Sequence, residues 1–140
     1  MSYSGLSRFI DAQQRDYEIA LQEIKNGRKR SHWMWYIFPQ LQGLGFSEMS
    51  RHYAINDLEE AKAYLADPIL GKRLIGISQA LLQLQGTDAR AIFGSPDDMK
   101  LHSSMTLFAS VPDASPVFDK VLQKFFKGTK DERTLELLSR

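Results

Sequence analysis

The stretch GRKRSHWMWYIFPQLQGLG, residues 27–45, decides the fold class. Arg28, Lys29 and Arg30 run into Ser31 and His32, then into an unbroken apolar block, Trp33-Met34-Trp35-Tyr36-Ile37-Phe38, closed by Pro39. Aromatic residues and isoleucine favour strands. A buried lone strand, however, leaves its backbone N–H and C=O groups unpaired. No other run in the chain reads as a strand, so this block is expected to be a short helix capped by Ser31. Being apolar all round, it is buried on most sides.

The rest of the chain reads as helices with clear punctuation. Leu6, Phe9, Ile10, Tyr17, Ala20, Leu21 and Ile24 recur at three- and four-residue spacing, which predicts a long amphipathic helix over Ser7 to Asn26. Gly27 fits the left-handed position that ends such a helix. A short helix is expected within Phe46–Ile55 after Ser47, and another begins at Asp57 with Leu58, Ala61, Tyr64 and Leu65 as its stripe. Asp67-Pro68, Ser95-Pro96 and Ser115-Pro116 each pair a capping side chain with a proline suited to the first helical position. They predict helices at about Pro68–Gln85, Pro96–Ser110 and Pro116–Lys127. Shorter helices are expected at Asp88–Phe93 and Asp131–Leu138. The class is all-α, a compact array of about seven or eight helices. Residues 1–140 are expected to form a single domain, since repeats, low-complexity tracts and linkers are lacking.

Composition narrows the functional classes. The chain has 140 residues, 43% apolar and 25% charged, which is ordinary for a globular domain able to build its own core. There are no cysteines, so disulfides and thiolate metal sites are excluded, in keeping with a cytoplasmic location. Met1 to Gly5 shows no basic-then-apolar leader, and no apolar run approaches the roughly 20 residues of a membrane span. A net charge of +1 argues against a nucleic-acid partner, which would call for a larger basic excess. His32, His52 and His102 are far apart and show no metal-ligand spacing. No nucleotide-binding fingerprint or nucleophile motif occurs, so no cofactor, metal or catalytic residue is assigned.

Two constellations remain as candidates. On a short helix His32, Trp35 and Tyr36 would share a face beside the basic residues 28–30, placing positive charge next to aromatic surface. Trp33 and Phe38 are read mainly as core. In the second, Leu101, Met105 and Phe108 mark the apolar face of the helix after Pro96. Asp97, Lys100 and Ser104 lie within or beside that face, where polar groups need partners. An Asp97–Lys100 ion pair with Ser104 hydrogen-bonded beside it is expected, while Ser95-x-x-Asp98 matches a capping box. The candidate ligand-binding residues are Arg28, Lys29, His32, Trp35, Lys100, Ser104 and Thr106. Arg28 and Lys29 would take phosphate or carboxylate, a tryptophan would stack a ring, and His32 would act as a general acid or base. The ligand expected is small, anionic or nucleotide-like. The alternative is a protein- or nucleic-acid-binding module without catalysis. Lys120, Lys124 and Lys127 read as a solvated face.

Three segments carry a resemblance. Residues 27–40, the pattern Tyr64-Leu65-x-x-Pro68-x-Leu70-Gly71-x-Arg73-Leu74, and Asp98-x-Lys100-Leu101-x-Ser103-Ser104-Met105-Thr106-Leu107-Phe108 are similar to a mainly bacterial family of unknown function, whose members are sometimes mislabelled calpastatin. The resemblance spans nearly the whole chain and implies an all-helical domain, with no activity to carry over. The C-terminal half, from Phe118–Phe126 to Asp131-x-x-Thr134-Leu-Glu-Leu137, also resembles helical proteins acting on ADP-ribose derivatives. That resemblance places no acidic catalytic residue on this chain.

Overall fold

A computed structural model describes residues 4–140; the reading of the N-terminus as leaderless rests partly on Met1–Tyr3, outside the described residues. A 3₁₀ turn at Ser4–Leu6 leads into α1 (Ser7–Lys25). There follow α2 (Met34–Ile37), α3 (Glu48–His52), α4 (Leu58–Ala66), α5 (Leu70–Gln83), α6 (Ala89–Phe93), α7 (Asp97–Ala109), α8 (Val117–Phe126) and α9 (Glu132–Leu138). The fold is all-α: among the described residues there are nine α-helices, three of them single turns, and no strand. One isolated parallel bridge joins Leu41 to Ile55, where Gln42 N–H donates to the Ile55 carbonyl and Ile55 N–H to the Gln40 carbonyl, both at 2.8 Å. No described helix is long and apolar enough to cross a membrane.

The helices pack because each carries one apolar face. α5 lies between α1 and α8, α7 packs on α8 and α4, and α6 and α9 flank α7. A chain of rings runs through the interior: Phe9 to Tyr64 at 5.2 Å, Tyr64 to Phe108 at 5.2 Å, and Phe108 to Phe118 at 5.8 Å. Burying each such side chain stabilises the fold by about 1.5–3 kcal/mol. Gly71 has a strict role, since a Cβ there would lie 2.2 Å from the Leu65 carbonyl oxygen. It lets α5 start against the end of α4. Tyr64 is wholly buried, and its hydroxyl accepts a hydrogen bond from Gln13 Nε2 at 2.9 Å.

Most helix starts follow the local rules. Ser47, Asp57, Asp88 and Asp131 accept N–H bonds from the first turns of α3, α4, α6 and α9. Asp67 accepts from Ile69 and Leu70, and Ser115 from Val117. Two expected caps fail. Ser31 does not cap α2, because its hydroxyl donates to Glu23 instead. Ser95 and Asp98 form no capping box, because the Asp98 N–H donates to the Gly94 carbonyl and no side chain caps α7. Gly27 ends α1 at φ +79° as expected. Lys124 is not on a solvated face: its ammonium donates to the carbonyls of Leu81 (3.2 Å), Leu82 (3.1 Å) and Leu84, holding the negative end of α5.

Candidate ligand-binding cleft

The loop after α1 is anchored by a single carboxylate. Glu23 accepts hydrogen bonds from the backbone N–H groups of Arg30 (2.7 Å) and Ser31 (2.9 Å), the Ser31 hydroxyl (2.6 Å) and the Trp33 indole N–H (2.9 Å). Burial pushes its pKa up, but the bonds from Ser31, Arg30 and Trp33 outweigh that and lower it from 4.5 to about 2. Glu23 thereby turns the basic run back along α1 and drives the Trp33 ring into the core, where it is 1% exposed.

Within this loop Lys29 turns inward. Its N–H donates to the Ile92 carbonyl at 2.7 Å, and its side chain is only 8% exposed. The ammonium lies 3.0 Å from Asp97 Oδ2, donates to the Ser31 carbonyl at 2.5 Å, and sits 5.0 Å from the centre of the Trp33 ring. Asp97 Oδ1 takes Lys100 at 3.3 Å, and the Lys100 ammonium lies 5.2 Å from the centre of the Trp35 ring. The result is a ladder, Trp33–Lys29–Asp97–Lys100–Trp35. One carboxylate stands between two ammonium groups, each resting on an indole. The ladder joins the two segments singled out in the sequence.

Lys100 forms part of the wall of a cleft of about 360 Å³, with Gln40, Ser50, Ser103, Asp131 and Arg133 around it. The inner side is braced by hydrogen bonds. Ser103 Oγ lies 3.1 Å from the Met99 carbonyl and 3.2 Å from Asp131 Oδ2, and can donate to either. The same Asp131 oxygen accepts the N–H (3.0 Å) and hydroxyl (2.6 Å) of Thr134, while Asp131 N–H donates to Thr106 Oγ1 at 2.9 Å. Arg133 stands at the surface, paired with Glu136 at 3.1 Å. Another concavity, of about 370 Å³, is lined by Asp57, Glu59 and Arg140; its one guanidinium already pairs with Glu136, so the two carboxylates set its charge. No group of three or more His, Asp or Glu suited to a metal occurs among the described residues.

The structure sorts the sequence-predicted residues. Lys29, Trp35 and Lys100 come together. Arg28 and His32 are exposed and line no part of the cleft. His32 precedes α2 rather than sharing a face with Trp35 and buried Tyr36, so it is not placed as an acid or base. Ser104 is fully buried, and among the described residues its hydroxyl has no hydrogen-bond partner, from Asp97 and Lys100 or any other. Thr106 is also fully buried; its hydroxyl donates to the His102 carbonyl at 2.8 Å and accepts from Asp131, tying α7 to α9. Sequence reasoning missed Glu23, Gln40, Ser50 and Arg133. Only Glu23 carried a signal, an acid in the last turn of a helix that runs into three cations.

Comparison with known proteins agrees with this fold. No curated protein matches the chain. Among solved structures, the conserved hypothetical protein Rv1873 from Mycobacterium tuberculosis is similar at 48% identity, over 96% of each chain, with a TM-score of 0.94. The family model described as protein of unknown function (DUF1810) matches residues 3–138. The mainly bacterial family suggested by the three sequence segments is thus identified, and the chain belongs to the DUF1810 family of proteins of unknown function.

Proposed function

We propose that this protein binds a small anionic, nucleotide-like ligand in the cleft beside Lys100. The observation that carries the reading is the charge count of the ladder: Lys29 and Lys100 share the single carboxylate of Asp97. Lys29 is enclosed and has further partners. The surplus positive charge therefore falls on Lys100, which faces the cleft. An oxyanion at Lys100 would find Ser50 and Gln40 on the surrounding wall and Arg133 at the rim. The Asp131 carboxylate on the same wall is already engaged by Thr134 and Ser103. A volume of about 360 Å³ lies within the range of roughly 300–1,000 Å³ usual for small-molecule sites. Trp35 acts behind Lys100, holding the ammonium in place over its ring. We place the protein in the cytoplasm as one domain, with no catalytic role assigned.

A thermal-shift screen with phosphate, AMP and ADP-ribose tests the reading; ADP-ribose is included because of the C-terminal resemblance. A ligand at a hundredfold excess over its Kd adds about 2.7 kcal/mol of apparent stability. The expected result is a shift with at least one phosphate-bearing compound that Lys100→Gln abolishes. A shift untouched by Lys100→Gln, or no shift with any of the three, would exclude it. The competing protein-docking reading rests on Phe46 and Met99, which are 78% and 65% exposed.

A further inference from the structure

The sequence segment Tyr64–Leu74 contains one residue that packing does not explain. Tyr64, Leu70 and Leu74 are core, and Gly71 allows α4 and α5 to meet. Arg73 instead faces a groove of about 720 Å³ formed by α1 and α5, lined also by Tyr17, Pro68, Ile69, Lys72 and Gln79. Its backbone carbonyl accepts the Tyr17 hydroxyl at 2.9 Å, and its guanidinium carbon lies 5.4 Å from the centre of the Tyr17 ring. Nη1 is turned inward, away from solvent, and has no hydrogen-bond partner among the described residues; the partly exposed remainder of the side chain meets the groove. Among the described residues no acidic side chain forms an ion pair with this guanidinium. Glu18, on the same groove, is exposed and unpaired with it. A partly buried guanidinium lacking a counter-charge is costly, and natural structures seldom leave one without purpose.

We infer that this groove is a second binding site, for a small organic anion whose carboxylate or phosphate meets Arg73 and whose apolar body lies along Pro68 and Ile69. The chemistry follows from the wall. The Tyr17 ring beside it, 5.4 Å away, restrains the guanidinium, whose exposed edge suits a carboxylate or phosphate oxygen. Lys72 adds a second positive charge nearby. Ile69 is a large aliphatic side chain left exposed, with Pro68 beside it, which offers apolar contact to the rest of the ligand. The groove shares no residue with the Lys100 cleft, so the two sites stand or fall separately.

The test is amide-resolved NMR of the full chain with benzoate, phenyl phosphate, inorganic phosphate and neutral benzyl alcohol as probes. Benzoate and phenyl phosphate are expected to shift amides within residues 17–18 and 69–79 and to saturate with a Kd of order 1 mM, as suits such small probes. Inorganic phosphate and benzyl alcohol should each bind about tenfold more weakly, because each lacks one half of the recognised chemistry. Arg73→Met should remove the aromatic-anion shifts, while Lys100→Gln leaves them intact. Arg73→Lys, which keeps the charge but loses the fork, should weaken binding about tenfold and covers the case in which Arg73→Met fails to fold. The inference is overturned if neither aromatic anion shifts these amides at about 10 mM. It is equally overturned if benzyl alcohol binds as well as benzoate, or if a folded Arg73 variant binds like the parent protein.

Discussion

Replacing Glu23 by glutamine should lower stability in a way that depends on pH. The carboxylate holds four donors, and its pKa lies at about 2 rather than 4.5. Glutamine keeps an oxygen for the Arg30, Ser31 and Trp33 N–H groups but loses the charge. A drop of that size corresponds to about 3 kcal/mol at 1.36 kcal/mol per pKa unit. Glu23 remains partly in water, so solvent screening reduces the expected loss at pH 7 to about 1–2 kcal/mol. The unfolded chain takes up this proton near pH 4.5 and the folded chain only near pH 2. The contribution is therefore complete above about pH 5, declines as pH falls, and is gone below about pH 2. Urea unfolding followed by circular dichroism at pH 7, 4 and 2.5 measures the gap between the parent and Glu23→Gln. The gap should narrow steadily toward low pH. Glu23→Ala, which also leaves the buried Trp33 indole N–H without an acceptor, should cost about 3 kcal/mol at pH 7. A gap that stays constant with pH, or a glutamine variant as stable as the parent, would refute the role given to the carboxylate.

Two further substitutions probe other parts of the fold and site. Asp97→Asn removes the anion shared by Lys29 and Lys100; it should destabilise the protein by about 1–2 kcal/mol in urea unfolding yet tighten binding of AMP severalfold in calorimetry, because the ligand no longer competes with a neighbouring carboxylate. Lys124→Met should cost about 1–2 kcal/mol, read as a lower thermal midpoint with faster amide exchange at the end of α5, because three carbonyls there lose their cation.

The helices were readable wherever the signal is local. Asp57, Asp88, Asp131 and Ser47 cap the helices that their sequence neighbourhoods predict, because the acceptor and donor lie within three residues of each other. Ser31 looks the same in sequence, but Glu23, eight residues back, competes for its hydroxyl and wins. The Asp97–Lys100 pair was readable from helical spacing. The Lys29–Asp97 pair was not, since only the packing of the α1–α2 loop against α6 and α7 brings the two together. Ser104 shows the limit of periodicity. Every residue from Ser103 to Phe108 is buried, because α7 is surrounded by α4, α6, α8 and α9. Spacing then cannot say which side of α7 meets the cleft. Gln40, Ser50 and Arg133 reach it from a loop and from short or terminal helices, where no repeat marks them.

Titration calorimetry of AMP against the parent protein and Lys100→Gln at pH 7 addresses the proposed site most directly. The expected result is binding by the parent with a Kd of about 10–100 μM. Lys100→Gln, shown by circular dichroism to remain folded, should bind about tenfold or more weakly, as loss of a charged contact to an oxyanion entails. Equal affinity in the two proteins, or no heat from the parent at about 1 mM AMP, would contradict it.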